Sequence, residues 1–268
     1  MLYLVATPIG NLKDMTYRAV EVLNQVDEIA CEDTRHSLTL LNAYGISKPL
    51  VSYHKFNEKQ SGEKLIEKLK AGKNIALISD AGMPVISDPG NVLVKMLIEN
   101  GLEYTMVPGA CACVSALALS GLDASSFCFL GFLPQKQSER QTLLNAYKEV
   151  QSTLIFYSAP HDVVKDVQTL YSVLGDRKAV AVKEITKLHE KVEYFNLSQG
   201  YPFTPKGEYV ILVEKALPNQ QNINLSDKEL LQKYIADGMD RKQALKQVAK
   251  ERGISKSLLY KYTLEEKV

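Results

Sequence analysis

A chain of 268 residues with 46% hydrophobic side chains is long for one domain and comfortable for two, which excludes a disordered protein. No apolar run approaches the roughly eighteen residues of a spanning helix, and MLYLVATPIGN has no basic stretch before its apolar residues, so a soluble cytoplasmic protein without membrane contact is expected. The net charge of +1 is uneven: Arg241, Lys242, Lys246, Lys250, Arg252, Lys256 and Lys261 face one nearby acid, Glu251, while the rest of the chain holds 25 basic and 30 acidic residues, which marks the tail as a segment made for a polyanion.

In chain order, strand-like runs at Leu2 to Ala6, Glu28 to Cys31, Leu50 to Tyr53, Asn74 to Ile78 and Glu103 to Val107 alternate with helical patterns at Tyr17 to Gln25, Glu63 to Leu69 and Val92 to Glu99. This βαβα order predicts a mostly parallel sheet with ligands at the carboxyl ends of its strands. After a helix-like Cys113 to Leu119 come strands at Cys128 to Leu130, Thr153 to Tyr157, Ala179 to Lys183, Lys191 to Phe195 and Tyr209 to Val213, with helices at Glu139 to Val150 and His161 to Leu174. The close spacing of the later strands predicts a mixed or antiparallel sheet. Leu217 to Asn224 reads as a polar linker. Ser226 to Ala236 opens with a capping-box-like SDKE, and Arg241 to Glu251, Arg252-Gly253 and Ser255 onward have the outline of a helix-turn-helix, an outline that packing caps share.

Two strands empty into Gly/Pro-rich loops, TPIGN after Ala6 and SDAGMPVISDPG over 79–90. Neither spells GxGxxG or GxxxxGK[ST], so a ligand there is not expected to be held by its phosphates. Cys31, Cys111, Cys113, Cys128 and the histidines show no metal-ligand spacing, so no metal is expected, and the cysteines read as reduced thiols. CEDTRH, 31–36, is either a helix start capped by Asp33 or Thr34, or a site in which Arg35 clamps a phosphate or carboxylate and Asp33 or Glu32 accepts a proton. YHKFNE puts His54, Lys55, Asn57 and Glu58 on the same rim, and KEITKLHEK adds Glu184 and Lys187 at another strand end. The tiny residues of VPGACACVSALALSGL allow close approach of a ligand, a sheet or a second subunit.

Taken together, TPIGNLKDMTYRAVEVL, EDTRH, SDAGMPVISDPG, VPGACACVSALALSGL, GFLP, FYSAPH, KEITKLHE, KGEYVILVE and LLYKY resemble, in order along the whole chain, the ribosomal RNA small-subunit methyltransferase group of the tetrapyrrole methylase superfamily. The resemblance implies two α/β domains of the class III methyltransferase type, here 1–112 and 113–217, with a small basic helical domain at 225–268. It implies S-adenosylmethionine as methyl donor, a homodimer, and as substrate a cytidine 2'-hydroxyl in the decoding region of 16S ribosomal RNA, free or in the 30S particle. Donor contacts would come from Pro8, Asp80, Ala81, Gly82, Met83, Cys111, Ala112, Tyr157 and Thr186. Ala110, Asp162 and Lys183 depart from the usual pattern, and Asp162 takes a positive charge away from FYSAPH. Proton acceptance is expected of Asp33 or Glu184 with Arg35 and His54 orienting the acceptor, and RNA contacts of Lys187, Arg241, Lys242, Lys256 and Lys261. The rival readings are a small-molecule methyltransferase of the same fold, with no use for the basic tail, and a non-catalytic ribosome-assembly factor that binds RNA and transfers nothing.

Overall fold

Alternation of side chains across extended backbone explains the first sheet, whose strands are β1 (Leu2–Val5), β2 (Glu28–Cys31), β3 (Leu50–Ser52), β4 (Ile75–Ile78) and β5 (Tyr104–Val107) in a computed structural model that describes residues 1–217, 225–260 and 262. Leu2, Leu4, Ile75 and Leu77 pack on one face against helices α3 (Glu58–Lys70) and α4 (Asn91–Glu99). Val5, Ala76 and Ile78 pack on the other against α1 (Tyr17–Gln25) and α2 (Thr34–Ala43). Both faces are covered, which is why NIALI is apolar without interruption. All pairings are parallel and the order is β3-β2-β4-β1-β5. That order lines up the loops after the strands as YHKFNE, CEDTRH, SDAGMP and TPIGN along one edge.

Helix α5 (Ala112–Ser120) leads to the second sheet, β6 (Phe127–Phe132), β7 (Thr153–Ser158), β8 (Lys178–Lys183), β9 (Lys191–Asn196) and β10 (Tyr209–Val213), ordered β6-β7-β10-β8-β9. The β6–β7 pair is parallel and the others antiparallel, so the sheet is mixed. Helices α6 (Gln137–Tyr147) and α7 (Val163–Leu174) cover one face through Phe156 and Ile211. The small side chains of α5 let it lie close on the other face, among Ile155, Val180, Val182, Val210 and Leu212, so close helix–sheet packing accounts for its composition. A buried ion pair ties this half together: Arg140 Nη1 lies 2.7 Å from Asp166 Oδ1, Arg140 Nε donates to Pro134 O, and Ser158 Oγ donates to Asp166 Oδ2 at 2.6 Å.

The chain divides into two units, 1–216 and 217–268. Within the second, α8 (Asp227–Ala236), α9 (Arg241–Arg252) and α10 (Lys256–Leu259) surround Leu230, Leu231, Ala244, Leu245, Val248 and Leu259. Ser226 and Glu229 form the expected capping box, and Gly253 ends α9 in a left-handed conformation, φ 65°. Arg252 is engaged within the unit, its Nε 3.3 Å from Asp227 Oδ1, while Arg241, Lys242, Lys246, Lys250 and Lys256 are exposed. Of the expected linker only Leu217 is described; 218–224 and the expected RNA contact Lys261 lie outside the described residues. Among the described residues no helix is long and apolar enough to cross a membrane, and no group of acids, histidines and cysteines is arranged to hold a metal.

Candidate functional site

The two loops that stood out in the sequence are stitched to each other because β1 and β4 are neighbours. Thr7 and Gly82 form an isolated antiparallel bridge, Thr7 N–H donating to Gly82 O at 2.9 Å and Gly82 N–H to Thr7 O at 3.1 Å, while Thr7 Oγ1 donates to Ser79 O. Gly82 sits at φ +84°, and a Cβ there would lie 3.1 Å from Ile9 Cγ2, so both the turn and the close approach require glycine. Among the described residues the non-glycine positions with left-handed backbone are Val85, Ser87, Glu184 and Thr186, two in each of the loops after β4 and β8. For the β-branched Val85 and Thr186 this conformation is strained, and strain of that kind gathers at ligand sites.

Between these loops lies a cavity of about 430 Å³, the more enclosed of two neighbouring ones and called the closed cavity for that reason. Ile9, Gly82, Met83 and Ile86 line it from the first half, Cys111 and Ala112 from the start of α5, and Phe132, Tyr157, Val182, Ile185 and Val210 from the second sheet. Its charged lining is one-signed, four carboxylates (Glu32, Asp80, Asp88, Glu208) with no lysine, arginine or histidine among the lining residues. Burial, with Glu32 and Asp80 nearby, pushes the Asp88 carboxyl up to about 6, and burial followed by Asp80 pushes Glu32 upward while His54 opposes the shift. Cys111 Sγ lies 3.4 Å from Cys113 Sγ; the hydrogen bond between them lowers the first thiol below its usual range and raises the second.

Beside it is an open cavity of about 530 Å³ lined by Glu32, Asp33, Thr34, Arg35, Ser52, His54, Lys55, Phe56 and Asp80. Its floor is set by turns. The Asp33 carboxylate caps α2, accepting the Arg35 N–H at 2.8 Å, and this contact above all holds it below the usual carboxylate range. Asn57 Oδ1 accepts the His54 N–H at 2.8 Å, and His54 Nδ1 accepts the Phe56 N–H at 3.3 Å, which fixes the imidazole and projects the Phe56 ring into solvent, 93% exposed.

The structure thus places Asp80, Ala81, Gly82, Met83, Cys111, Ala112 and Tyr157 together on the closed cavity, and Asp33, Arg35 and His54 together on the open one. Pro8 and Thr186 stand one residue from the wall, behind Ile9 and Ile185. The Glu184 carboxylate, which lines neither cavity, accepts the Glu208 N–H at 2.8 Å and is 3.1 Å from Lys187 Nζ, and these contacts lower its proton affinity. Lys187 is likewise held by Glu184 and, at 2.8 Å, Glu208. The Asp33 and Glu184 carboxylates are thus both engaged in local contacts that hold them below the usual carboxylate range, Asp33 on the open cavity and Glu184 on neither. Phe132, Glu208 and Val210 lie in the blocks GFLP and KGEYVILVE but were given no site role; strand pairing across the second sheet brings them to the cavity. Asp162 pairs with His161, Oδ2 to Nε2 3.3 Å, outside both cavities.

Residues 1–199 match the profile of the tetrapyrrole (corrin/porphyrin) methylases. The chain is 43% identical over 268 residues to a ribosomal RNA small subunit methyltransferase I of Halalkalibacterium halodurans, covering 97% of this chain and 93% of that protein. It is 41% identical to the protein of that name in Bacillus subtilis, covering 97% and 92%. Among solved structures it is similar in fold to diphthine synthase, TM-score 0.64 at 16% identity over 80% of this chain and 89% of the other. The methyltransferase CobJ gives TM-score 0.63 at 16% identity over 80% and 94%.

Proposed function

We propose a function from the premise that the chain belongs to the tetrapyrrole methylases: it is an S-adenosylmethionine-dependent methyltransferase that methylates a cytidine ribose 2'-hydroxyl in the decoding region of small-subunit ribosomal RNA. The carrying observation is the closed cavity, whose size suits a nucleoside-sized ligand and whose lining suits a cation, with four carboxylates of which Glu208 is paired with Lys187 while Glu32, Asp80 and Asp88 have no ion-pair partner among the described residues. S-adenosylmethionine, when bound, supplies a methyl group on a positively charged sulfur. Its size and charge fit this lining, with adenine-sized apolar contact available from Ile9, Ile86, Phe132 and Tyr157 and carboxylates available to the sulfonium and ammonium. Thr186 belongs to the proposed donor site because its buried Oγ1 has no hydrogen-bond partner, and Pro8 because it positions Ile9.

Methyl transfer to a hydroxyl is an in-line displacement, so the protein's first task is alignment and water exclusion. The stitched loops of Thr7 and Gly82 fix one wall, and the Arg140–Asp166–Ser158 network braces the opposite one, since Ser158 also lines the cavity. Arg35 and His54 on the open cavity would orient the acceptor ribose and its phosphate. The exposed cations of α9 and the start of α10 would add sequence-independent affinity for the RNA backbone, and Lys187, held by two acids, would contribute at most as part of that network. A cytoplasmic homodimer completes the proposal, supported by the exposed Val114 and Leu119 on the packed helix α5, and light scattering checks it.

Incubation with labelled donor and either 30S particles or naked 16S RNA, followed by mapping of ribose methylation, tests the reading. A single 2'-O-methylcytidine in the decoding region is expected; absence of any ribose methyl overturns it.

A further inference from the structure

Glu32 and Asp80 are the residues common to the linings of both cavities. Their position follows from the strand order: β2 and β4 are adjacent, so CEDTRH and SDAGMP share a border, and the Asp33 N–H reaches Asp80 Oδ1 at 3.4 Å across it. A methyl carbon held in the closed cavity and an oxygen entering through the open one would meet at this wall. Asp80 is partly committed to that backbone contact. Among the described residues the Glu32 carboxylate has no hydrogen-bond or ion-pair partner. Asp88 lines the closed cavity and not the open one.

The open side also has the parts that receive a single unstacked nucleotide. Phe56 offers a ring 93% exposed, Arg35 a guanidinium whose side chain is 90% exposed and whose Nη2 lies 3.5 Å from Asp33 Oδ2, and Lys55 lies between Phe56 and His54 in the chain. The Phe56 ring meets the His54 ring edge-on, centroids 6.2 Å apart, and an exposed aromatic beside cations is how proteins hold a flipped base and its phosphate.

Resting on the methyltransferase reading above, we propose that Glu32 is the proton acceptor of the reaction and that the open cavity seats the acceptor nucleotide, with its base stacked on Phe56 and its phosphate on Arg35 and Lys55. In the step, the ribose oxygen bonds the methyl carbon as the carbon–sulfur bond breaks, the sulfur leaves as a neutral thioether with the bonding pair, and the hydroxyl proton passes to the Glu32 carboxylate and then to solvent. The groups facing Glu32 are Asp80 and Asp88 after β4, His54, Arg35 and Lys55 on the open side, Asp33 beside it and Glu208 in the closed cavity. Burial and the neighbouring Asp80 make it a stronger base than an ordinary glutamate, and His54 tempers this.

Single-turnover methylation of 30S particles by the full-length protein, at saturating donor over a pH series, tests the proposal. At saturating donor, Glu32→Gln is expected to slow transfer about 10²–10⁴-fold and abolish the acid limb of the rate profile, whereas Asp88→Asn keeps that limb. Phe56→Ala is expected to raise KM for the particle about tenfold or more with kcat nearly constant, and Phe56→Tyr to restore it. An unaltered rate or a retained acid limb in Glu32→Gln overturns the proton role, and an unaltered KM in Phe56→Ala overturns the nucleotide seat. Wild-type protein that transfers no methyl to RNA defeats the function itself, so that failure is distinguishable from a failure of Glu32 or Phe56 in an active enzyme.

Discussion

The closed cavity, about 430 Å³, carries four carboxylates and no base among its lining residues, while the open one beside it, about 530 Å³, sets Arg35, His54 and Lys55 and an exposed aromatic ring beside Glu32, Asp33 and Asp80. The contrast in charge and exposure separates two tasks. A wall that surrounds its ligand can recognise a small cation completely, down to its shape. A shallow one of mixed charge recognises only the end of something larger, and the rest of its affinity would come from elsewhere on the chain. The shared wall of Glu32 and Asp80 is where the two ligands would react.

The strongest way to break the contrast is to remove the brace that belongs to one side alone. Arg140 and Asp166 are both almost fully buried, and through Ser158 they support the closed cavity but not the open one. Arg140→Ala leaves a buried carboxylate without its cation and is expected to cost about 3–5 kcal/mol of unfolding free energy, read by chemical denaturation. Arg35→Ala, on the open side with an exposed side chain, is expected to leave stability within about 0.5 kcal/mol. Similar losses for the two would show that the cavities are not supported separately.

Next in size is the dependence of the open side on help from the tail. Removing 225–268 deletes the exposed Arg241, Lys242, Lys246, Lys250 and Lys256. RNA affinity is expected to fall by one to two orders of magnitude at moderate salt, with the slope of log affinity against log salt flattened by up to about 3.5 for five phosphate contacts at roughly 0.7 each. Donor binding should not change. Full activity of the truncated protein would favour the small-molecule rival, and loss of donor binding would recast the tail as a structural cap.

A third test confines damage to the closed side. Gly82→Val forces a β-branched residue into φ +84° against Ile9, a strain of about 1–3 kcal/mol that also projects methyls toward the ligand. Donor affinity is expected to weaken about 10–100-fold by calorimetry, with RNA binding by filter retention unaffected. Equal loss of both would merge the two sites.

How much of this the sequence carried depended on whether the signal was local. Apolar runs bounded by Gly and Pro located the strands of both sheets, and CEDTRH was legible as a helix start because Asp33 is a capping residue followed by helix-compatible side chains. Its neighbour Glu32 remained undecided between structure and chemistry, since only the adjacency of β2 and β4, a long-range pairing, turns that carboxylate toward Asp80. Asp88 lay inside the loop that stood out most, yet the left-handed turns at Val85 and Ser87 that bring it to the cavity run against the preference of those residues. Conflicts of this kind between local preference and fold are expected where a loop serves a ligand site, as proposed for this one. Glu184 shows the opposite case: its place at a strand end was legible, while the Lys187 and Glu208 N–H contacts of its carboxylate come from the folded loop and a neighbouring strand.

The smallest effect separates the cavities by pH. Asp88 has its carboxyl raised to about 6, first by burial and then by Glu32 and Asp80. The folded protein therefore binds a proton there that the unfolded chain has released, so this group's contribution to stability is full below the ordinary carboxylate range and is lost as pH rises through about 6. Cation binding runs the other way, because an ionised Asp88 attracts the positive donor and a protonated one does not. Calorimetric donor affinity is expected to tighten several-fold from about pH 5 to about pH 7, while Asp88→Asn weakens binding at the upper end and flattens the dependence. Affinity for single-stranded RNA, measured alongside, should not follow this curve, since Asp88 does not line the open cavity. An Asp88→Asn protein that keeps the full pH dependence would move the charge that senses the donor to Glu32 or Glu208, and with Glu32 the closed cavity would lose its independence from the wall it shares.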